Sequence, residues 1–133
     1  MQALVVEQTE FTPYINFNPS TDKFEIRGES RPENSGKFYS KLISWISDFQ
    51  ISVKSNPSSL RKDMVFEFKF DYFNSTSAKF ILDFLRQLEV LKLENPQLKI
   101  TIKWYFDERD EDMRDSGEEF SHLVKLPFEF VTL

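Results

Sequence analysis

Between residues 64 and 106 the spacing of apolar side chains changes period twice, and that change limits what the chain can fold into. Over residues 64–72, Phe66, Phe68, Phe70 and Tyr72 alternate with Glu67, Lys69 and Asp71, the period-two pattern of a strand with one packed face and one wet face. From Ser75 to about Glu94 the period lengthens. Ala78, Ile81, Leu85, Leu88 and Leu91 fall on one face of a helix, and Pro96 stands just beyond its end. Residues 99–106 return to alternation, with Ile100, Ile102, Trp104 and Phe106 set against Thr101, Lys103 and Tyr105. Strand, helix and strand in that order predict a βαβ unit whose two strands lie parallel.

The alternation also predicts how many layers cover the sheet. A parallel strand buried between two helical layers reads as an unbroken apolar run, whereas here one face of each strand is polar. The expected architecture is therefore α/β, a two-layer mixed β-sheet of about five strands with the helices mainly on one face. The remaining pieces fit that plan. Residues 14–18 and 23–28 form a hairpin through Pro19-Ser20-Thr21-Asp22. Phe38, Leu42, Trp45, Ile46 and Phe49 mark a helix over residues 35–49, and a loop through Asn56-Pro57-Ser58-Ser59 leads to the strand that starts at Met64. A short acidic helix is expected near residues 110–121 and a last strand over 128–131. With 133 residues and 15 Phe to fill a core, a single domain over 1–133 is expected, with residues 1–11 set apart as an N-terminal segment that can be flexible. The polar sheet face, with Glu67, Lys69, Asp71, Thr101, Lys103 and Tyr105, is left to solvent or to an interface.

Composition removes most chemistry. A formal net charge of −5 opposes attraction to nucleic acid or to an anionic membrane surface, so neither is expected as a partner. The absence of cysteine excludes disulfides and thiolate sites. No secretory signal or membrane span is visible, and a cytoplasmic location is expected. The one histidine, His122, has no second imidazole or cysteine to join it in a metal site and reads as a surface or helix-end residue. Gly28, Gly36 and Gly117 are the only glycines and form no phosphate-binding loop. No cofactor, metal or catalytic set is expected. The acidic run from Asp107 to Glu119 is read as a solvated loop and helix start; a metal-dependent hydrolase or lyase using those carboxylates is the alternative. A structural subunit that dimerises through the polar sheet face is a further one.

The turn Asn74-Ser75-Thr76-Ser77 is more informative, because three hydroxyls stand where a strand gives way to a helix. Such side chains accept hydrogen bonds from the free N–H groups of a first helical turn, so capping accounts for them. The same N–H groups, with the positive end of the helix dipole, also tolerate a phosphate of about −2 charge. Both readings stand on these residues.

Four blocks in order carry a resemblance: Arg31-Pro32-Glu33-Asn34-Ser35, Tyr72-Phe73-Asn74-Ser75-Thr76-Ser77-Ala78-Lys79, Trp104-Tyr105-Phe106-Asp107-Glu108-Arg109-Asp110-Glu111 and Pro127-Phe128-Glu129-Phe130. Together they resemble the SiaC family of bacterial regulatory phosphoproteins, from about Thr12 to Val131. The resemblance implies a STAS-like domain, similar to anti-sigma-factor antagonists, and a protein that is not an enzyme. It implies phosphorylation by a serine/threonine protein kinase, dephosphorylation by a PP2C-type phosphatase, and an unphosphorylated form that binds and activates a diguanylate cyclase or another target enzyme. The family turn typically reads Asn-Thr-Ser-Ser, which places the modified hydroxyl on Ser75, with Thr76 next and Ser77 after it. The surface expected to meet partners comprises Asn74, Ser75, Thr76 and Lys79 together with Glu33 and Asn34. Arg31 departs from the Tyr common before Pro-Glu-Asn in that family.

Overall fold

Among the described residues six strands form one sheet in simple sequence order, the N-terminal strand at one edge and the C-terminal strand at the other. The computed structural model describes residues 1–59 and 63–133; the last part of the loop between Ser59 and the following strand, residues 60–62, lies outside them. The elements are β1 (Leu4–Val6), β2 (Tyr14–Asn18), β3 (Lys23–Ser30), α1 (Ser35–Ser55), a 3-10 turn (Pro57–Ser59), β4 (Asp63–Phe73), α2 (Ser75–Glu94), β5 (Lys99–Phe106), α3 (Glu111–Leu123) and β6 (Phe128–Thr132). Strands β1, β2 and β3 pair antiparallel, while β3, β4, β5 and β6 run parallel. The sheet is mixed, as expected, and the strand–helix–strand unit occurs three times in succession.

The three described helices all lie against one face. Trp45 of α1 packs on Phe17 and Phe24, Phe84 of α2 on Phe17, Phe66 and Phe68, and Phe120 of α3 on Phe73 and Trp104. The inward residues of the central strands are essentially solvent-free, and each large side chain buried this way contributes roughly 1.5–3 kcal/mol over leaving it exposed. Nothing covers the other face among the described residues, which is why the strands alternate instead of reading as apolar runs. There Glu67 accepts hydrogen bonds from Lys23 Nζ and Tyr105 Oη, both at 2.7 Å, and Lys69 Nζ reaches Glu25 at 3.1 Å. Opposite charges set side by side on adjacent strands are the sheet's counterpart of helical i,i+4 pairs. No described helix is long and apolar enough to cross a membrane.

Three features differ from the reading of the sequence. The described residues form six strands and not about five: Leu4–Val6, inside the segment 1–11, pairs with the outer edge of β2. Three residues are too few to show a period, so only tertiary pairing reveals them. The first helix continues past Phe49 to Ser55, because Val53 extends its buried stripe, and Pro57 disfavours the helical conformation at Asn56, where the helix stops.

The third difference is the direction of Tyr72. Gly28 of β3 pairs with Phe70, but the next residue, Glu29, pairs with Tyr72. Asp71 is thus an extra residue on β4, a bulge that inverts the alternation beyond it. Phe73 turns into the core, 6.2 Å from the Trp104 ring and 6.1 Å from Phe120, and Tyr72 is left 49% exposed. Gly28 is required opposite the bulge. Its φ is +104°, and a β-carbon there would stand 2.7 Å from Gln8 Nε2.

Candidate functional site

Because β3, β4 and β5 are parallel and each runs directly into a helix, the N-termini of α1, α2 and α3 gather at one edge of the sheet, the carboxyl end of the strands where open α/β sheets build their sites. Each start is capped by an acceptor side chain. Asn34 Oδ1 accepts from Lys37 N at 3.0 Å, Asn74 Oδ1 from Ser77 N at 2.9 Å, and Asp110 Oδ1 from Met113 N at 3.0 Å. The capping half of the expectation for Asn74 is therefore seen directly.

The hydroxyls of the α2 turn are not equivalent. Ser75 and Thr76 are exposed, whereas Ser77 has no accessible surface. Ser77 Oγ donates to the carbonyl of Ser30 at 3.1 Å, and Ser30 Oγ donates to Ser77 Oγ at 2.9 Å. Tyr39 Oη lies 2.6 Å from Ser30 Oγ, and burial pushes the Tyr39 phenol up to about 12. Ser30 and Tyr39 escaped sequence reasoning. Ser30 is 47 residues from Ser77, and no local pattern marks a strand-end serine as a partner for a helix cap.

The two blocks expected to meet partners lie side by side. Ser30 and Phe73 pair across β3 and β4, and Asn74 N donates to Ser30 O at 3.0 Å. Gly36, in the first turn of α1, comes so near α2 that a β-carbon on it would lie 3.5 Å from Phe80 Cζ. Glu33 and Asn34 are exposed at the start of α1, and Lys79 is exposed one turn into α2 with its ammonium 5.8 Å from the Phe80 ring. Tyr72, brought outward by the bulge, adds an exposed aromatic beside the turn. It lines a cleft of about 180 Å³ with Asp71, Asp110, Asp112, Met113 and Ser116.

The acidic run has structural work of its own. Asp107 Oδ1 accepts from Arg109 N at 2.9 Å and from Arg109 Nε at 3.2 Å, and these bonds hold its carboxyl below the usual carboxylate range. Asp110 caps α3, with Glu111 and Asp112 in the first turn, where negative charge meets the positive end of the helix dipole. Among the described residues no group of three or more His, Asp or Glu side chains is gathered for a metal ion. His122 is exposed in the last turn of α3.

Similarity to known proteins points the same way as the four blocks. An uncharacterised protein of Pseudomonas aeruginosa strain UCBPP-PA14 is 27% identical over 128 residues, covering 96% of this chain and 94% of that protein. Apo-SiaC from Pseudomonas aeruginosa superposes with a TM-score of 0.83 at 23% identity, covering 99% of this chain and all of that one. A chain in the crystal structure of the diguanylate cyclase SiaD in complex with its activator SiaC, also from Pseudomonas aeruginosa, gives a TM-score of 0.82 at 24% identity, covering 98% of this chain and 99% of that one. At these identities the two structures establish the shared fold. The family-wide pattern of SiaC family regulatory phosphoproteins matches residues 6–133, and over that span the chain belongs to the SiaC family.

Proposed function

We propose that this protein is a phosphorylation-controlled activator without catalysis of its own, whose switch is the exposed pair Ser75 and Thr76 at the start of α2. A serine/threonine kinase adds the phosphate in the cytoplasm, a PP2C-type phosphatase removes it, and the unphosphorylated form binds and activates a diguanylate cyclase. The observation that carries the reading is the sorting of the three hydroxyls. Two of them reach solvent at a helix N-terminus, while the third is consumed in buried hydrogen bonds. Ser75 leads, at the first position after the Asn74 cap; Thr76 follows; Ser77 could be modified only by unfolding the turn. A phosphate at Ser75 adds about −2 charge beside free N–H groups, which the fold accepts. A partner docked across Asn74, Lys79, Glu33 and Asn34 meets new charge and bulk. The cyclase as target rests on the relative that is described as the activator of SiaD.

Incubation with ATP and a candidate serine/threonine kinase, followed by mass spectrometric mapping, tests the site. Phosphate is expected on Ser75, and phosphate found only outside residues 75 and 76 overturns the assignment. Ser75→Ala should keep binding the cyclase and Ser75→Asp should weaken it.

A further inference from the structure

The buried hydroxyls at the switch form a directed chain. Each hydroxyl has a single proton to donate. Ser77 gives its proton to the carbonyl of Ser30, and Ser30 Oγ gives its own to Ser77 Oγ. The proton between Tyr39 and Ser30 must then come from Tyr39. The order is Tyr39 Oη to Ser30 Oγ to Ser77 Oγ to Ser30 O, and aligned chains of this kind strengthen one another in a low-dielectric interior.

The chain ends on an atom that also holds the other side of the turn. Ser30 O accepts from Ser77 Oγ at 3.1 Å and from Asn74 N at 3.0 Å, which occupies both of its lone pairs. Asn74 Oδ1 accepts from Ser77 N at 2.9 Å. Ser75 and Thr76 are therefore a two-residue span between anchors that meet at one carbonyl oxygen. Tyr39 sits at the head of the chain on α1, with no accessible surface, stacked on Phe80 of α2 at 6.0 Å and 5°.

We propose that Tyr39 is a positioning residue for the switch: through Ser30 and Ser77 it latches the first turn of α2 to the end of β3 and to α1. Ser75 and Thr76 are then presented in one fixed geometry at the start of α2. This deepens the reading of the turn as a phosphoacceptor and rests on it for its purpose, but the latch can be tested without a kinase. A partner that touches both helix starts meets one rigid surface, and the same latch keeps the acceptor pair outside while Ser77 stays in.

The test compares the full chain with Tyr39→Phe and Ser77→Ala by residue-resolved amide hydrogen exchange under native conditions. Tyr39→Phe keeps the ring and its stack on Phe80 and removes only the first donor. Ser77→Ala removes the middle link. In both variants the amides of residues 77 and 78 are expected to exchange on the order of tenfold faster, while the slowest amides of β4 and β5, which open only on global unfolding, speed by no more than the loss of global stability. A residue that only filled the core would speed the globally exchanging amides of the sheet and leave residues 77 and 78, which open locally, as they are in the native protein. Exchange at 77 and 78 within about twofold of native in both folded variants overturns the latch. Mass spectrometry of the native protein judges the phosphoacceptor reading separately, so the two failures are distinct results.

Discussion

Gly117 of α3 lies flat against the indole of Trp104. A β-carbon on it would stand 2.4 Å from Trp104 Cδ1 and 2.5 Å from Nε1. The indole cannot give way easily, since it has no accessible surface and its Nε1 donates to Met113 O at 2.9 Å. Gly117→Ala gains roughly 1 kcal/mol of helix propensity, but overpacking of this kind costs about 1–3 kcal/mol and this clash is severe. A net loss near 1–2 kcal/mol is expected, read by urea unfolding, with a changed near-ultraviolet dichroism signal from Trp104. Unchanged stability would show that α3 slides freely over the sheet.

The bulge at Asp71 makes an unusual pair of mutants. Period-two reading puts Tyr72 inside and Phe73 outside, and the structure reverses them. Phe73→Ala should cost about 2–4 kcal/mol, somewhat less than a fully buried Phe, because Phe73 is half-buried. Tyr72→Ala should stay within about 0.5 kcal/mol, as an exposed substitution does. Equal costs at the two positions would remove the bulge.

Asn74→Ala deletes the cap that Ser77 N requires and should cost about 1 kcal/mol, while Asn74→Asp should retain most of it because a carboxylate accepts the same bond and suits the dipole. Denaturant unfolding checks both. Equal losses would mean that the amide nitrogen, and not the cap oxygen, holds the turn.

The titrating groups set a pH window. Burial alone would raise the Glu67 carboxyl, but the hydrogen bonds from Lys23 and Tyr105 outweigh it and the net direction is down. Its contribution is then present above the unfolded value of about 4.3 and is lost as pH falls through the lower folded value. On the alkaline side, burial holds Tyr39 and Tyr105 at about 12, with the Glu67 carboxylate adding to it at Tyr105. Unfolded tyrosine ionises near pH 10, so stability should fall as pH rises from about 10 towards 12. Lys23, raised chiefly by its bond to Glu67, loses its contribution over the same alkaline limb. Unfolding midpoints across pH should show a plateau falling at both ends. Glu67→Gln should flatten the acid limb by no more than about 1 kcal/mol, the scale of a partly exposed pair, and Tyr39→Phe should reduce the alkaline one.

The acceptor turn shows how far local information reaches. Asn74 before three hydroxyls and a helical stripe specifies a capped helix start, because capping needs only neighbours within one turn. It does not say which hydroxyl stays outside. That was decided by Ser30 and Tyr39, which come from other elements and withdraw Ser77 from solvent.

The same division runs through the whole chain. The order of helices and strands from β2 onward, the parallel pairing around α2 and the single covered face can be read from the residues alone, since each follows from the period of apolar residues within a segment. The edge strand β1, the outward turn of Tyr72 and the burial of Ser77 emerge only in the folded chain. Each of these depends on pairing or packing between residues far apart in sequence, and a period measured within one segment carries no record of its neighbour's register.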